Sequence, residues 1–284
     1  MLQISGTEIA QRILDALKQK PVPKKILAAI LVGEDPSSLS FLKQKERVAK
    51  ELGVDFRLYK LTAGLKNDGL RKEIGKIARL SRVGGVIVQL PLPESINRRY
   101  VLNAIPIEKD VDVLSEKAQE AFRTGKSKIL PPVVGVVEEI LGSMNYELRS
   151  MKVAVVGAGF LVGKPIAEWL ADKCKELLIF DEGSDLTELK NYDLIISGVG
   201  KAGIIKPGML KEGAGVIDFG YSIEHETYNM KHETENVKKK IYGDFNVSGS
   251  MLHDLGFYTP TPGGTGPILV SKLMENFYRV NSIL

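Results

Sequence analysis

Residues 152–165, KVAVVGAGFLVGKP, carry the pattern from which the fold follows. Residues 153–156 are a short apolar run of the kind a buried parallel strand presents. Gly157, Gly159 and Gly163 follow at once, and residues 166–170 open a helical pattern. Strand, glycine turn and helix in that order suit a dinucleotide. Glycines let backbone N–H groups close on a pyrophosphate, which the positive end of the next helix also attracts. A second apolar run, 177–180, ends at Asp181, 24 residues after Gly157. A carboxylate roughly 20 residues on is placed to meet a ribose hydroxyl. The plainer alternative is an ordinary glycine-rich strand-to-helix turn, which a lone G-x-G does not exclude.

Outward from this stretch, residues 194–197 and 215–218 continue the strand pattern, and 241–244 are expected as a last short strand. In parallel sheets ligands gather beyond the carboxyl ends of the strands. The cofactor candidates are therefore Gly157, Ala158, Gly159, Gly163, Asp181, Val199 and Gly200. Residues 222–240 are polar and read as an exposed excursion or hairpin holding His225 and His232 among glutamates. Scattered His and Glu on a solvated loop are common, so no metal site is expected there, and His253 also lacks a partner in the sequence.

Toward the N-terminus the alternation repeats. A helix is expected over 6–20, a continuous apolar strand over 26–32, and a helix over 37–52. A strand over 56–61, a helix over 68–80 and a third strand over 86–90 follow. Alternating strands and helices mean parallel pairing with right-handed crossovers. A short helix over 96–105, a polar loop PIEKDVD, a helix from Pro131-Pro132 to 141 and a closing helix over 268–278 complete the chain. The fold class is α/β with two domains: an N-terminal parallel α/β substrate domain and a Rossmann-type dinucleotide-binding domain. The C-terminal helix is expected to return to the first. The boundaries read as 1–138 with 265–284, and 139–264.

A chain of 284 residues suits two cores, and 44% hydrophobic with 26% charged residues is an ordinary globular balance. No apolar run reaches the roughly 20 residues of a membrane span, and the start is expected to be an amphipathic helix rather than a signal peptide. A single cysteine, Cys174, allows no internal disulfide and suits the cytoplasm. The net charge of +4 is no footprint for nucleic acid.

In the first domain the strand ends deliver VGEDPSS and a helix bearing Lys45, then Gln89, Leu90 and Pro91, then Asp110 and Asp112. A lysine near an amide and a carboxylate serves as a substrate clamp or a general base. From spacing alone, a solvated lysine beside Lys43 and Lys50 is the plainer reading.

Five segments change that balance: VGEDPSSLSFLKQK (32–45), VIVQLPLP (86–93), KDVD (109–112), VVGAGFLVGKP (155–165) and TPTPGGTGP (259–267). With them the chain resembles the bifunctional methylenetetrahydrofolate dehydrogenase/cyclohydrolase family over nearly its full length. The resemblance implies hydride transfer from methylenetetrahydrofolate to NAD or NADP, then hydration of the methenyl product to formyltetrahydrofolate. It implies tetrahydrofolate derivatives as partners, with a homodimer through the dinucleotide domain. Lys45 matches the family's catalytic lysine, Gln89 the glutamine that tunes it, and Asp112 the carboxylate that grips the pterin. Leu90 and Pro91 of QLPLP fall beside them. Pro262, Gly263 and Gly264 match the loop where folate and nicotinamide meet. Phe41 stands at the family's tyrosine, four residues before Lys45, and keeps the ring without the hydroxyl. Val113 replaces the usual glycine after KDVD, and VVG at 133–135 departs from P-x-G. Ala158 replaces the arginine that would hold a 2′-phosphate, and Asp181 would repel one, so NAD is expected over NADP. Lys201 is a rescue cation only if it reaches the ribose. The rival readings are a shikimate-type or amino-acid dehydrogenase, and a folate- and NAD-binding regulator of low turnover.

Overall fold

The computed structural model describes residues 2–144, 146–227, 237–247 and 254–282. The chain begins with β1 (Leu2–Gln3), α1 (Gly6–Lys18), β2 (Ile26–Val32), α2 (Pro36–Glu51), β3 (Phe56–Leu61), α3 (Asn67–Ala78) and β4 (Val83–Val88). It continues with α4 (Arg98–Leu102), α5 (Glu116–Arg123), α6 (Pro132–Ser143), β5 (Lys152–Val156), α7 (Gly163–Leu170), β6 (Glu176–Phe180) and β7 (Leu194–Ser197). Last come β8 (Gly215–Asp218), β9 (Ser222–Thr227), β10 (Val237–Tyr242), β11 (Phe257–Tyr258) and α8 (Thr265–Asn281). Two compact units result, one of residues 10–135 with 269–284 and one of residues 1–9 with 136–268.

The first unit holds a three-stranded parallel sheet in the order β3-β2-β4. Central β2 reads ILAAILV and every residue of it is buried, as a strand covered on both faces requires. Helix α2 starts where Pro36 tolerates the first turn and where the Asp35 carboxylate accepts from Ser38 N at 2.6 Å. Leu27, Leu31, Leu42, Leu273, Met274 and Phe277 share one core, so the C-terminal helix returns to this unit as expected. Each such side chain contributes about 1.5–3 kcal/mol on burial.

Strand β4 begins at Val83, earlier than the apolar pattern suggested. Gly84 and Gly85 hide the strand, and α8 explains them. A Cβ on Gly84 would stand 2.1 Å from Asn281 Oδ1, and one on Gly85 2.7 Å from Phe277 Cδ2. The helix expected over 96–105 is shorter, Arg98–Leu102. It starts where the Asn97 side chain accepts from Tyr100 N at 3.0 Å. Helix α5 was not expected; Ser115 caps it.

The second unit holds a six-stranded sheet in the order β1-β11-β8-β7-β5-β6, parallel throughout. Strands β5 and β7 are neighbours, and the chain leaves β5 toward β6 on one side and β7 toward β8 on the other. That reversal is the switch point at which open α/β sheets take ligands. The polar excursion is an antiparallel hairpin of β9 and β10. The strand expected over 241–244 is corrected: Ile241 and Tyr242 pair with Ile223 and Ser222 in that hairpin, and Gly243 and Asp244 lie beyond it. Strand β11 takes the place beside β8 instead.

Candidate active site

Lys45 lies in α2, half-buried, and its Nζ donates to Gln89 Oε1 at 3.1 Å. Gln89, 9% exposed, follows β4 directly, and its own N–H donates to Ile30 O at 2.9 Å. Its side-chain N–H donates to Leu90 O at 2.8 Å, which leaves Oε1 facing the lysine. The Leu90-Pro91 peptide is cis, and Leu90 is half-buried with Pro91 exposed. Phe41 precedes Lys45 by four residues on α2 and is half-buried, so the two lie on one face.

The KDVD loop runs beside β4 through a bridge between Val86 and Asp110. Its two acids differ. Asp110 is buried and accepts from Leu114 N at 3.1 Å and Ser115 N at 2.7 Å, and burial pushes its carboxyl up. Its oxygens are spent on holding the loop. Burial also pushes the Asp112 carboxyl up, while the Lys45 ammonium pulls it down. Lys45, Gln89 and Asp112 therefore come together in one unit. Val113 adopts φ 57°, the left-handed region that a β-branched residue rarely enters. This is the position where the resemblance expects glycine. Sequence reading missed Asn276 of α8. Its Nδ2 donates to Val111 O at 2.9 Å and Leu130 O at 2.8 Å, fixing the carbonyl next to Asp112. Pro262, Gly263 and Gly264 belong to the second unit, between β11 and α8, after a cis Thr261-Pro262 peptide.

In the second unit the glycine turn leaves β5. Gly157 has φ 92° and its N–H donates to Phe180 O at 2.7 Å. A Cβ on Gly163 would lie 1.7 Å from Gly157 O, so only glycine lets α7 start this close to the turn. No side chain caps α7. A tight glycine cradle at a helix start without a side-chain cap fits the pyrophosphate of a dinucleotide. Phe180 pairs with Val156, so Asp181 and Gly157 leave neighbouring strands at the same sheet edge. Asp181 is exposed, with Ala158 and Gly159 in the turn beside it. Val199 and Gly200 follow β7 at that edge. Lys201 belongs to the β7 turn, with β5 between it and β6, the strand that Asp181 follows. The thiol of Cys174 is half-buried, donates to Leu170 O at 3.4 Å and is pushed up by burial, which suits packing rather than reactivity.

Among the described residues no cluster of His, Cys, Asp and Glu has a metal-binding arrangement. His232 and His253 lie outside the described residues, as does the side chain of His225. No helix among the described residues is long and apolar enough to cross a membrane.

A glycine cradle at the switch point of a parallel sheet, joined in one chain to a unit with a lysine–amide–carboxylate centre, defines an NAD(P)-dependent enzyme with a second, polar-residue chemistry. The catalytic-domain model of tetrahydrofolate dehydrogenase/cyclohydrolase matches residues 4–112, and the NAD(P)-binding-domain model matches residues 131–283. The bifunctional protein FolD of Clostridium botulinum is 30% identical over 284 residues, covering 96% of this chain and 95% of that one. FolD of Bacillus mycoides is 31% identical over 281 residues, covering 96% and 94%. The crystal structure of the FolD dehydrogenase/cyclohydrolase of Campylobacter jejuni superposes with TM-score 0.86 at 27% identity, covering 98% and 97%. The chain belongs to the tetrahydrofolate dehydrogenase/cyclohydrolase family. Its two activities are methylenetetrahydrofolate dehydrogenase and methenyltetrahydrofolate cyclohydrolase, an oxidoreductase and a hydrolase of one-carbon metabolism. Neither rival reading is favoured.

Proposed function

We propose that Lys45, Gln89 and Asp112 form the folate-binding and hydration centre of this enzyme. The observation that carries the reading is the 3.1 Å bond from Lys45 Nζ to Gln89 Oε1, with the Lys45 charge acting on Asp112. A bound nicotinamide would supply the hydride acceptor, and the folate nitrogen lone pair would favour hydride loss. Lys45 assists proton transfer as water adds to the methenyl carbon, and Gln89 holds its amine in line. Asp112 accepts from the pterin amino group and ring N–H. Such a two-point contact orients a flat ring and needs the ionised carboxylate; burial holds the Asp112 carboxyl above its ordinary value, and the Lys45 charge works against that rise. Phe41 stacks on the substrate without offering a hydroxyl. Leu90, Pro91, Pro262, Gly263 and Gly264 supply further substrate contacts. Replacing Asp112 with Asn tests the grip: the Kd for a tetrahydrofolate analogue rises at least about tenfold. An unchanged Kd removes Asp112 from the site.

The cofactor is NAD rather than NADP, because Ala158 brings no cation for a 2′-phosphate and Asp181 brings a carboxylate at the ribose position. Gly157, Gly159 and Gly163 take the pyrophosphate, and Val199 and Gly200 line its far side. The enzyme works as a homodimer through β6. This strand is at the sheet edge and exposes Leu178 (45%) and Ile179 (44%), which a second copy would cover. A monomer in sedimentation at working concentration refutes that assembly. The single cysteine, Cys174, fits a reducing cytoplasm.

A further inference from the structure

Two carboxylates outside the catalytic account lie buried in the second unit: Asp218 at the end of β8, and Asp244 two residues past β10. Asp244 is fully buried. It accepts from Ser197 Oγ, from Val199 N and from Lys201 N, each at 2.7 Å. Ser197 ends β7 and the other two donors lie in the turn that leaves it, so one carboxylate organises one turn. Hydrogen bonds to a charged acceptor are roughly twice as strong as neutral ones.

Asp218 braces its neighbour. Its carboxylate accepts from Gly220 N at 2.6 Å and from Phe245 N, the residue after Asp244, at 2.9 Å. Its backbone oxygen accepts from Thr265 Oγ1 at 2.8 Å. The packing leaves no slack: a Cβ on Gly243 would stand 2.1 Å from Asp218 Oδ2, and one on Gly220 2.3 Å from Asp244 Oδ1. On its other side the β7 turn meets the glycine turn. A Cβ on Gly198 would fall 2.4 Å from Val162 Cγ1, and one on Gly157 3.1 Å from Val199 Cγ2.

The order of strands gives this turn its part of the ligand. Across the sheet the order runs β6, β5, β7, β8. The β6 end carries Asp181 for the adenosine ribose, the β5 end carries the pyrophosphate turn, and the nicotinamide half falls toward β7. We propose that Asp244 is a positioning residue for the nicotinamide half of the dinucleotide, holding the Val199–Lys201 turn as the wall of that half-site. The proposal rests on the reading of Val199 and Gly200 as cofactor residues. Asp244 itself touches no ligand. Asparagine in its place keeps the shape but turns an N–H group toward backbone donors, and the wall loosens.

The test is calorimetric binding to the intact chain of NAD+ or NADP+, whichever the wild type binds tighter, and of ADP, which lacks the nicotinamide half. Asp244→Asn is expected to raise the dinucleotide Kd about tenfold while the ADP Kd stays within about twofold. Equal loss for both ligands, or no loss for either, overturns the positioning role. Ser197→Ala removes one of the three donors and decides the matter if Asp244→Asn does not fold. It is expected to weaken the dinucleotide selectively by about threefold, and an unselective or absent effect overturns the proposal. Val199→Phe, at a side chain 42% exposed, tests the underlying reading. A selective dinucleotide loss there with none in Asp244→Asn refutes the positioning role alone. No loss in Val199→Phe removes the half-site and the proposal with it.

Discussion

Lys45 Nζ donates to Gln89 Oε1 at 3.1 Å, a bond between the middle of α2 and the residue that follows β4. The two are 44 residues apart in sequence. They meet because β2 and β4 are paired neighbours and α2 leaves the carboxyl end of β2. The second contact of the Gln89 amide, to Leu90 O, stops it from turning its nitrogen to the lysine. Both contacts depend on packing that the buried β2 strand supplies.

The proposed preference for NAD rests on the edge where β5 and β6 end side by side. Asp181 is exposed at that edge, its N–H donating to Ser184 Oγ at 3.0 Å, with no arginine in the glycine turn beside it. Wild-type kcat/KM is expected to favour NAD over NADP at least about tenfold, the scale of one charge contact. Asp181→Ser is expected to narrow the ratio. A wild-type preference for NADP contradicts the role given to Asp181.

Val113 is buried, at 2%, against Ala118, Ile129 and Phe122, yet its backbone sits at φ 57°. Val113→Gly relieves roughly 1–2 kcal/mol of left-handed strain. It forfeits roughly 1.5–3 kcal/mol of burial and about 0.5–1 kcal/mol of backbone entropy. The net expected loss in urea unfolding is about 1.5 kcal/mol, the difference of these terms at their midpoints. A loss above about 3 kcal/mol shows that the strain is not relieved by glycine.

Asp218 adds a pH dependence. Burial raises its carboxyl from 3.8 to about 7, and the nearby Asp244 charge adds to the rise. The folded chain then holds a proton that the unfolded chain has released between those values, so stability falls as pH rises through the window. At 1.36 kcal/mol per unit the full effect is about 4 kcal/mol. Unfolding by urea at several pH values, compared with Asp218→Asn, isolates it because other groups cancel. Wild type is expected to lose stability relative to the variant from pH 4 to 7; a flat difference refutes the shift.

The legible parts of the sequence were those whose cause is local. The run 26–32 is buried on both faces, and the glycine turn after β5 needs small residues within seven positions. The parts that stayed hidden have distant causes. Gly84 and Gly85 look like breakers until Phe277 and Asn281 of α8 pack on them. Strand β11 is two residues long and shows no period. Asp244 has donors 43 to 47 residues earlier, two of them backbone N–H groups that no residue type reveals. Asp112 and Asp110 look alike in KDVD, and only the N–H groups of Leu114 and Ser115 mark Asp110 as the structural acid and leave Asp112 as the one proposed to bind.

The most direct test of the proposed hydration centre is Lys45→Met, with the two half-reactions measured separately. Hydration of methenyltetrahydrofolate is expected to slow by about 10² to 10⁴-fold, the usual weight of a positioned proton-transfer group. Hydride transfer, which needs no such group, is expected to stay within about tenfold of wild type. An equal loss in both half-reactions contradicts the account and makes Lys45 a substrate-binding residue.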